Sequence, residues 1–249
     1  MNREEYAIMF AAEDRHWWYA GLRAMLGKAL QRHLRAPNPR VLDAGCGTGA
    51  TLQWLAARMA RPPAGLDISP DAMRFCRQRG LSGLVQASVL ALPFSDNEFD
   101  AIVSLDVLYH RNVPGRERAL AAFYAALKPG GLLILNLPAY GWLYSSHDAA
   151  VHTAHRFTRR ECTALIRNAG FEIVHATYWN TLLFPAIVVM RLWRKVRPPA
   201  DSDLALPGAM ANRLLGAVLG IERKWADRFT LPFGLSVFTV ARKPEAAPS

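Results

Sequence analysis

The run Val41-Leu42-Asp43-Ala44-Gly45-Cys46-Gly47-Thr48-Gly49-Ala50 sets three glycines and a carboxylate between a short apolar segment and a helical one. The glycines let the backbone turn sharply and approach a ligand, and the helix that follows presents unpaired N–H groups to an anionic group. The next apolar run ends at Asp67, where a carboxylate can accept hydrogen bonds from two ribose hydroxyls. The same glycine spacing also suits a dinucleotide, so at this point NAD and other nucleoside cofactors both remain open. Two later clusters carry groups able to accept a proton: Asp106, Tyr109 and His110, and then His147, Asp148, His152 and His155. The second cluster also has a spacing from which a metal could be held if the segment is helical.

These residues need a scaffold that brings them to one edge. Short apolar runs alternate with helical stretches: strands at Val41–Ala44, Gly65–Ile68, Leu84–Ala87, Asp100–Leu105, Leu132–Leu137, Phe171–Ala176 and Leu235–Ala241, with helices at Ala50–Met59, Pro70–Arg79, Arg116–Leu127 and Arg159–Ala169. Strands separated by helices predict βαβ units and a doubly wound, mostly parallel α/β sheet, whose strand carboxyl ends present ligands. Residues 3–35 are predicted helical, interrupted by His16-Trp17-Trp18-Tyr19. Residues 138–157 are a polar, His-rich connection. The stretch 179–232 is too long for a plain loop and is expected to carry helices at 182–195 and 209–229.

Composition excludes several classes. The chain has 249 residues, of which 51% are hydrophobic and 20% charged, which rules out disorder, collagen and coiled coil. Cys46, Cys76 and Cys162 are scattered, with no C-x-x-C pairing, so neither a disulfide framework nor a zinc site is expected. The N-terminal residues do not read as a signal peptide, and the apolar stretch Thr181–Met190 is about half of the ~20 residues of a spanning helix. A cytoplasmic location is the expectation. The net charge of +10 favours an anionic partner. Its arginines are dispersed, however, with no basic stripe or RNA-binding module, so nucleic acid is demoted.

The chain resembles the class I S-adenosylmethionine (SAM)-dependent methyltransferases, and within them the small-molecule, methyltransferase type 11-like branch. The resemblance runs from Val41 to about Leu137, through Val-Leu-Asp-Ala-Gly-Cys-Gly-Thr-Gly at 41–49, Gly-Leu-Asp-Ile-Ser at 65–69, Ala-Leu-Pro-Phe-Ser-Asp-Asn-Glu-Phe-Asp at 91–100 and Leu-Lys-Pro-Gly-Gly at 127–131. It implies SAM as cofactor, with Asp43, Gly45, Gly47 and Gly49 around its methionine part, Asp67 on the ribose and Ile68 on the adenine. Ser88 stands where the family often has an Asp for the adenine amino group, with Val89 sharing that contact, and Leu105 and Asp106 complete the set. The N-terminal helices would form a lid through which Tyr19 and Arg23 approach SAM, Arg23 on its carboxylate. His155 and Phe157 replace the Arg and Tyr of a subgroup pattern in the 138–157 connection.

The fold implied is a Rossmann-like seven-stranded mostly parallel sheet with helices on both faces, an N-terminal helical lid and a helical insertion before the last strand. It divides as lid 1–38, SAM-binding core 39–178, insertion 179–232, last strand 233–243 and tail 244–249. Methyl transfer is an in-line displacement governed by positioning, and a hydroxyl acceptor must also lose its proton. The expected base is His152 oriented by Asp148, with His110 competing and no metal required. The acceptor is read as a small, apolar or aromatic molecule methylated at oxygen. C-methylation of a quinone-like ring and SAM binding without transfer are the alternatives. The apolar-to-basic run from Thr181 to Arg197 is read first as a pocket cover, then as a dimer contact or core helix, and third as a peripheral membrane contact.

Overall fold

The computed structural model describes residues 3–196, 208–226 and 228–245; Arg197 of the basic run and the end of the tail lie outside them. Along the chain come α1 (Arg3–Ala12), α2 (Trp17–His33), β1 (Val41–Ala44), α3 (Ala50–Ala56), β2 (Ala64–Asp67), α4 (Pro70–Gln78), β3 (Leu84–Gln86), β4 (Phe99–Leu105) and α5 (Arg116–Ala126). Then follow β5 (Leu127–Pro138), a 3-10 turn (Gly141–Leu143), α6 (Ser146–Ala150), α7 (Arg159–Asn168), β6 (Glu172–Trp179), α8 (Phe184–Val196), α9 (Ala209–Ala226) and β7 (Ser236–Arg242).

The strands form one seven-stranded sheet in the order β3-β2-β1-β4-β5-β7-β6. All pairs are parallel except those of β7, which runs antiparallel to both β5 and β6. Alternate strand residues feed opposite faces, as a period of two requires. Leu42 and Ile102 pack with Phe123 and Ile166, whereas Val41 and Val103 pack with Leu26 and Phe238. Each fully buried Leu or Phe contributes about 1.5–3 kcal/mol of transfer free energy.

Local signals place the helices. Ser69 caps α4, with Pro70 in its first turn, and Thr158 and Glu161 form a reciprocal capping box on α7. The sequence rhythm and the structure agree on the seven strands and both insertion helices. They differ at β6, which runs on to Trp179 because Ser236 of β7 pairs with Trp179. The break at His16 separates α1 from α2, and the His16 side chain accepts from the Trp18 N–H at the start of α2.

The insertion is tied to both ends of the fold. Helix α9 lies against α2, where Asn212 accepts from the Trp17 N–H at 3.0 Å and donates to the Arg15 carbonyl at 2.8 Å. Glu222 of α9, only 5% exposed, accepts the backbone N–H groups of Asn180, Thr181 and Leu182. This one carboxylate fixes the exit of β6 and the start of α8. Among the described residues, no helix is long and apolar enough to cross a membrane.

Removing the Glu222 acceptor strands three N–H groups, that of Asn180 buried and those of Thr181 and Leu182 partly so, and Glu222→Ala is expected to lower the unfolding free energy by about 2–3 kcal/mol. A urea titration that shifts by less than ~1 kcal/mol would show that the loop finds other acceptors.

Candidate active site

The sheet reverses its winding between β1 and β4, and such a switch point opens a crevice at the strand carboxyl ends. A cavity of about 1250 Å³ occupies that edge, reaching from Ser88 and Val89 after β3 to Asn180 after β6. Gly45 makes the crevice possible. Its φ is +89°, and a Cβ there would lie 2.3 Å from Val107 Cγ2, so no other residue fits. Gly47 donates its N–H to Asp67 Oδ2 at 3.0 Å, and Ser69 N–H donates to Oδ1 at 2.9 Å. Each Asp67 oxygen therefore keeps a second lone pair for a ligand. Ile68, beside it, lines the cavity while 52% exposed. Ser88 Oγ accepts the Leu90 N–H at 3.2 Å, which turns the chain so that Ser88 and Val89 line the far end.

The electrostatics run against the net charge of the chain. Among the described residues the cavity lining holds six carboxylates, Glu13, Asp43, Asp67, Asp71, Asp106 and Asp148, against two guanidiniums, Arg156 and Arg191. Asp43 is 2% exposed with Oδ2 lacking a partner, and burial, then repulsion from Asp67 and Glu13, pushes its pKa up to about 8. Asp106 has a φ of 57°, and both its carboxyl oxygens accept from Asn136 Nδ2 at 3.0 Å. Burial lifts its pKa to about 7 even so. A cation placed among these groups relieves their mutual repulsion. The pyrophosphate of a dinucleotide would add to it, and with that the NAD reading loses its physical basis.

Helix α1 closes over this end. Thr48 Oγ1 donates to Glu13, Arg79 Nη2 pairs with Glu13 at 2.8 Å, and Phe10 stacks on Phe75 at 4.7 Å. Tyr6 and Met9 of α1 and Glu13 just after it line the cavity, as do Tyr19 and Leu22 of α2.

The matched family model is a methyltransferase domain, covering residues 41–131. The chain belongs to the class I SAM-dependent methyltransferases. It is 27% identical over 220 residues to Methyltransferase GfsG of Streptomyces halstedii, covering 82% of this chain and 74% of that one. It is 29% identical over 160 residues to 24-methylenesterol C-methyltransferase 2 of Oryza sativa subsp. japonica, covering 55% of this chain. The match spans only 42% of the length of that relative. Among solved structures, the fold superposes on the [4+2]-cyclase SpnF with a TM-score of 0.62, at 22% identity and covering 92% of this chain and 83% of that one.

SAM is the cofactor of this methyltransferase, and the residues fit it. A sulfonium and an ammonium suit the acid-lined centre, a ribose diol suits the open lone pairs of Asp67, and an adenine face suits Ile68. The structure brings Tyr19, Asp43, Gly45, Gly47, Asp67, Ile68, Ser88, Val89, Leu105 and Asp106 to the cavity wall. Gly49 and Arg23 stand behind it. A Cβ on Gly49 would meet Cys76 Sγ and Leu81 Cδ1 at 2.8 Å, so this glycine serves the packing of α3 on α4. Arg23 is buried, donates from Nη2 to the Glu13 carbonyl at 3.0 Å and has no protein partner at Nη1.

Of the proton-accepting candidates, His110 and Asp148 line the cavity and His152 does not. Asp148 accepts from Arg156 Nη1 at 2.6 Å and from the Ser145 N–H at 2.9 Å. Burial alone would raise its pKa, but the Arg156 charge and these bonds hold it below the usual carboxylate range. The pair braces the 138–157 connection, because Arg156 Nε also donates to the Ala139 carbonyl at 2.8 Å. The His147 side chain lies outside what is described. Among the described residues, no three His, Cys, Asp or Glu side chains converge on a metal position. Sequence reasoning missed Glu13, Arg79, Asn136 and Asn180, which are far apart in the chain and form no local motif.

Asp67→Asn sets an amide NH2 against the N–H of Gly47 or Ser69. The dissociation constant for S-adenosylhomocysteine, measured by titration calorimetry, is expected to rise about 10- to 100-fold, or ~1.4–2.7 kcal/mol, with the far-ultraviolet spectrum unchanged. An unaltered affinity would remove Asp67 from cofactor binding.

Proposed function

We propose that the protein transfers a methyl group to a small, apolar or aromatic acceptor, most often at oxygen. The observation that carries this reading is the division of the cavity. Its β1–β2 end is acidic, and its other end is walled by Leu183, Ile187 and Met190 of the α8 region, Leu215 of α9, and Leu235. SAM supplies an electrophilic methyl when bound. The residues of the chain have to hold the acceptor in line with it, exclude water and take up one proton.

We assign the proton to Asp106. It ends β4 at the switch point, lines the cavity and has a carboxyl pKa raised to about 7, the range favoured for a general base near neutrality. His110 is the second reading, because it also lines the cavity. Its Nδ1 accepts the Asn112 N–H at 3.0 Å, and burial lowers its pKa to about 4. Taking a proton at Nδ1 would cost that bond.

A base works when deprotonated, so kcat/KM for SAM, which reports the free enzyme, should rise with pH through the pKa of whichever group acts. The expected kcat/KM profile has a limb near pH 7 that disappears in Asp106→Asn, with kcat reduced about 100-fold. A limb near pH 4 that disappears in His110→Gln would assign the histidine instead. His152→Gln serves as a control, with turnover close to that of the wild type. The assay follows labelled methyl from SAM into 2-naphthol. Label on a ring carbon of a naphthoquinol instead supports C-methylation, the reaction named for the sterol relative. SAM binding with no transfer supports a non-methylating use of the fold, for which SpnF, named a cyclase, is a precedent.

Exposed apolar residues on α9 support peripheral contact with an anionic membrane surface. Met210, Leu214, Ile221 and Trp225 are 85, 66, 57 and 64% exposed, at spacings that keep them on one side of the helix, with Arg213 and Lys224 exposed beside them. Pelleting with phosphatidylglycerol vesicles is expected, with loss in Trp225→Glu. A concentration-dependent doubling of mass without pelleting would show that the stripe pairs two copies of the chain.

A further inference from the structure

Asn180 is fully buried and lines the cavity, and among the described residues neither its Nδ2 nor its Oδ1 has a partner. Its backbone lies in the left-handed region at φ 62°, which Asn tolerates better than most residues. That conformation is held by Glu222, which accepts the N–H groups of Asn180, Thr181 and Leu182. The fold thus fixes the direction of a side chain whose donor and acceptor it leaves unsatisfied. A buried amide in that condition is costly unless a ligand completes it.

The surroundings define what that ligand offers. Leu183, Ile187 and Leu235, on the segments next to Asn180, line the cavity with it, so the body it receives there meets an apolar wall. The amide presents a donor and an acceptor together and carries no charge. A neutral group that both donates and accepts, such as a hydroxyl, satisfies both atoms. A carboxylate would leave Nδ2 paired but face Oδ1, and an ammonium the reverse. The position sets a length as well. Asn180 follows β6, three strands from β4, and at about 4.8 Å per strand it lies roughly 14 Å from the strand that ends at Asp106.

We propose that Asn180 anchors the acceptor by a second, neutral hydrogen-bonding group at the end remote from the methylated atom, so that the preferred acceptor is an extended apolar molecule polar at both ends. The proposal rests on the methyltransferase reading only in taking the β5–β7–β6 end of the cavity as the acceptor end.

The test compares biphenyl-4,4′-diol with biphenyl-4-ol, by fluorescence titration in the presence of S-adenosylhomocysteine. The wild type is expected to bind the diol at least about tenfold more tightly, as a site built to hydrogen-bond a hydroxyl rejects the analogue lacking it. In Asn180→Gly, which keeps the left-handed backbone, the ratio is expected to fall to about 1 while S-adenosylhomocysteine affinity stays within about twofold. If that variant fails to bind S-adenosylhomocysteine, Asn180→Leu, which keeps the side-chain shape and removes both polar atoms, gives the deciding ratio. A wild type without the preference, including one that binds neither compound, or a preference that survives substitution, overturns the proposal. A diol preference in a protein that transfers no methyl leaves Asn180 as the anchor and sinks the methyltransferase reading instead.

Discussion

The active site depends on a place where a side chain cannot be. At the switch point the turns after β1 and β4 converge, and Val107 fills the space where Gly45 would carry a Cβ. Because Val107 occupies that position, the flanking Asp106 is held in its left-handed conformation with its carboxyl on Asn136. Asn136 in turn accepts from Trp179 Nε1 at 2.7 Å. One steric constraint in the cofactor turn is thereby linked, through a chain of buried polar contacts, to the far end of the sheet. Packing of this kind transmits a shift rather than absorbing it.

The charge distribution has a similar economy. A chain with a surplus of ten positive charges lines its cavity mainly with carboxylates. Burial raises both Asp43 and Asp106 toward neutrality, and at Asp43 repulsion from Asp67 and Glu13 adds to it. A cationic cofactor converts the cost of that burial into affinity. The basic residues that do reach the lining, Arg156 and Arg191, sit beside Asp148, at 2.6 and 3.8 Å. They brace the connection after β5, and the Arg156 charge also draws the Asp106 carboxyl down against the effect of its burial.

The glycine turn and the strand-end residues that reach this cavity wall were legible in the sequence because their determinants are local. Glycines at 45 and 47, Asp67 at a strand end and Ile68 after it act within a few residues of one another, and the hydrophobic rhythm predicted every strand. The N-terminal break at His16 and both insertion helices were legible for the same reason. What escaped was contact across the chain: Glu13 meets Arg79 and Thr48, and Glu222 meets the exit of β6. Neither pairing has a spacing signature, since it depends on how the lid and the insertion dock. The histidine-rich connection drew attention through residue type, yet in three dimensions its best-anchored charged residues are Asp148 and Arg156, and they face each other.

The antiparallel β7 gives the acceptor half its character. Because β7 enters the sheet at the edge where β5 and β6 leave it, Leu235 and Ser236 join Pro138 and Asn180 in one floor. The roof over that floor comes from α8 and α9, which belong to the insertion. Glu222 of α9 fixes the backbone from which Asn180 extends, so the element that roofs this end of the cavity also positions its buried amide, the proposed anchor. A change in the insertion would therefore alter acceptor choice and the stability of the β6 exit together. The cofactor end, tied down by α1 and α4 through Glu13 and Arg79, would be left as it is. The two halves of one cavity are in this sense under separate structural control, and it is the insertion half that has to differ for a different acceptor to be taken.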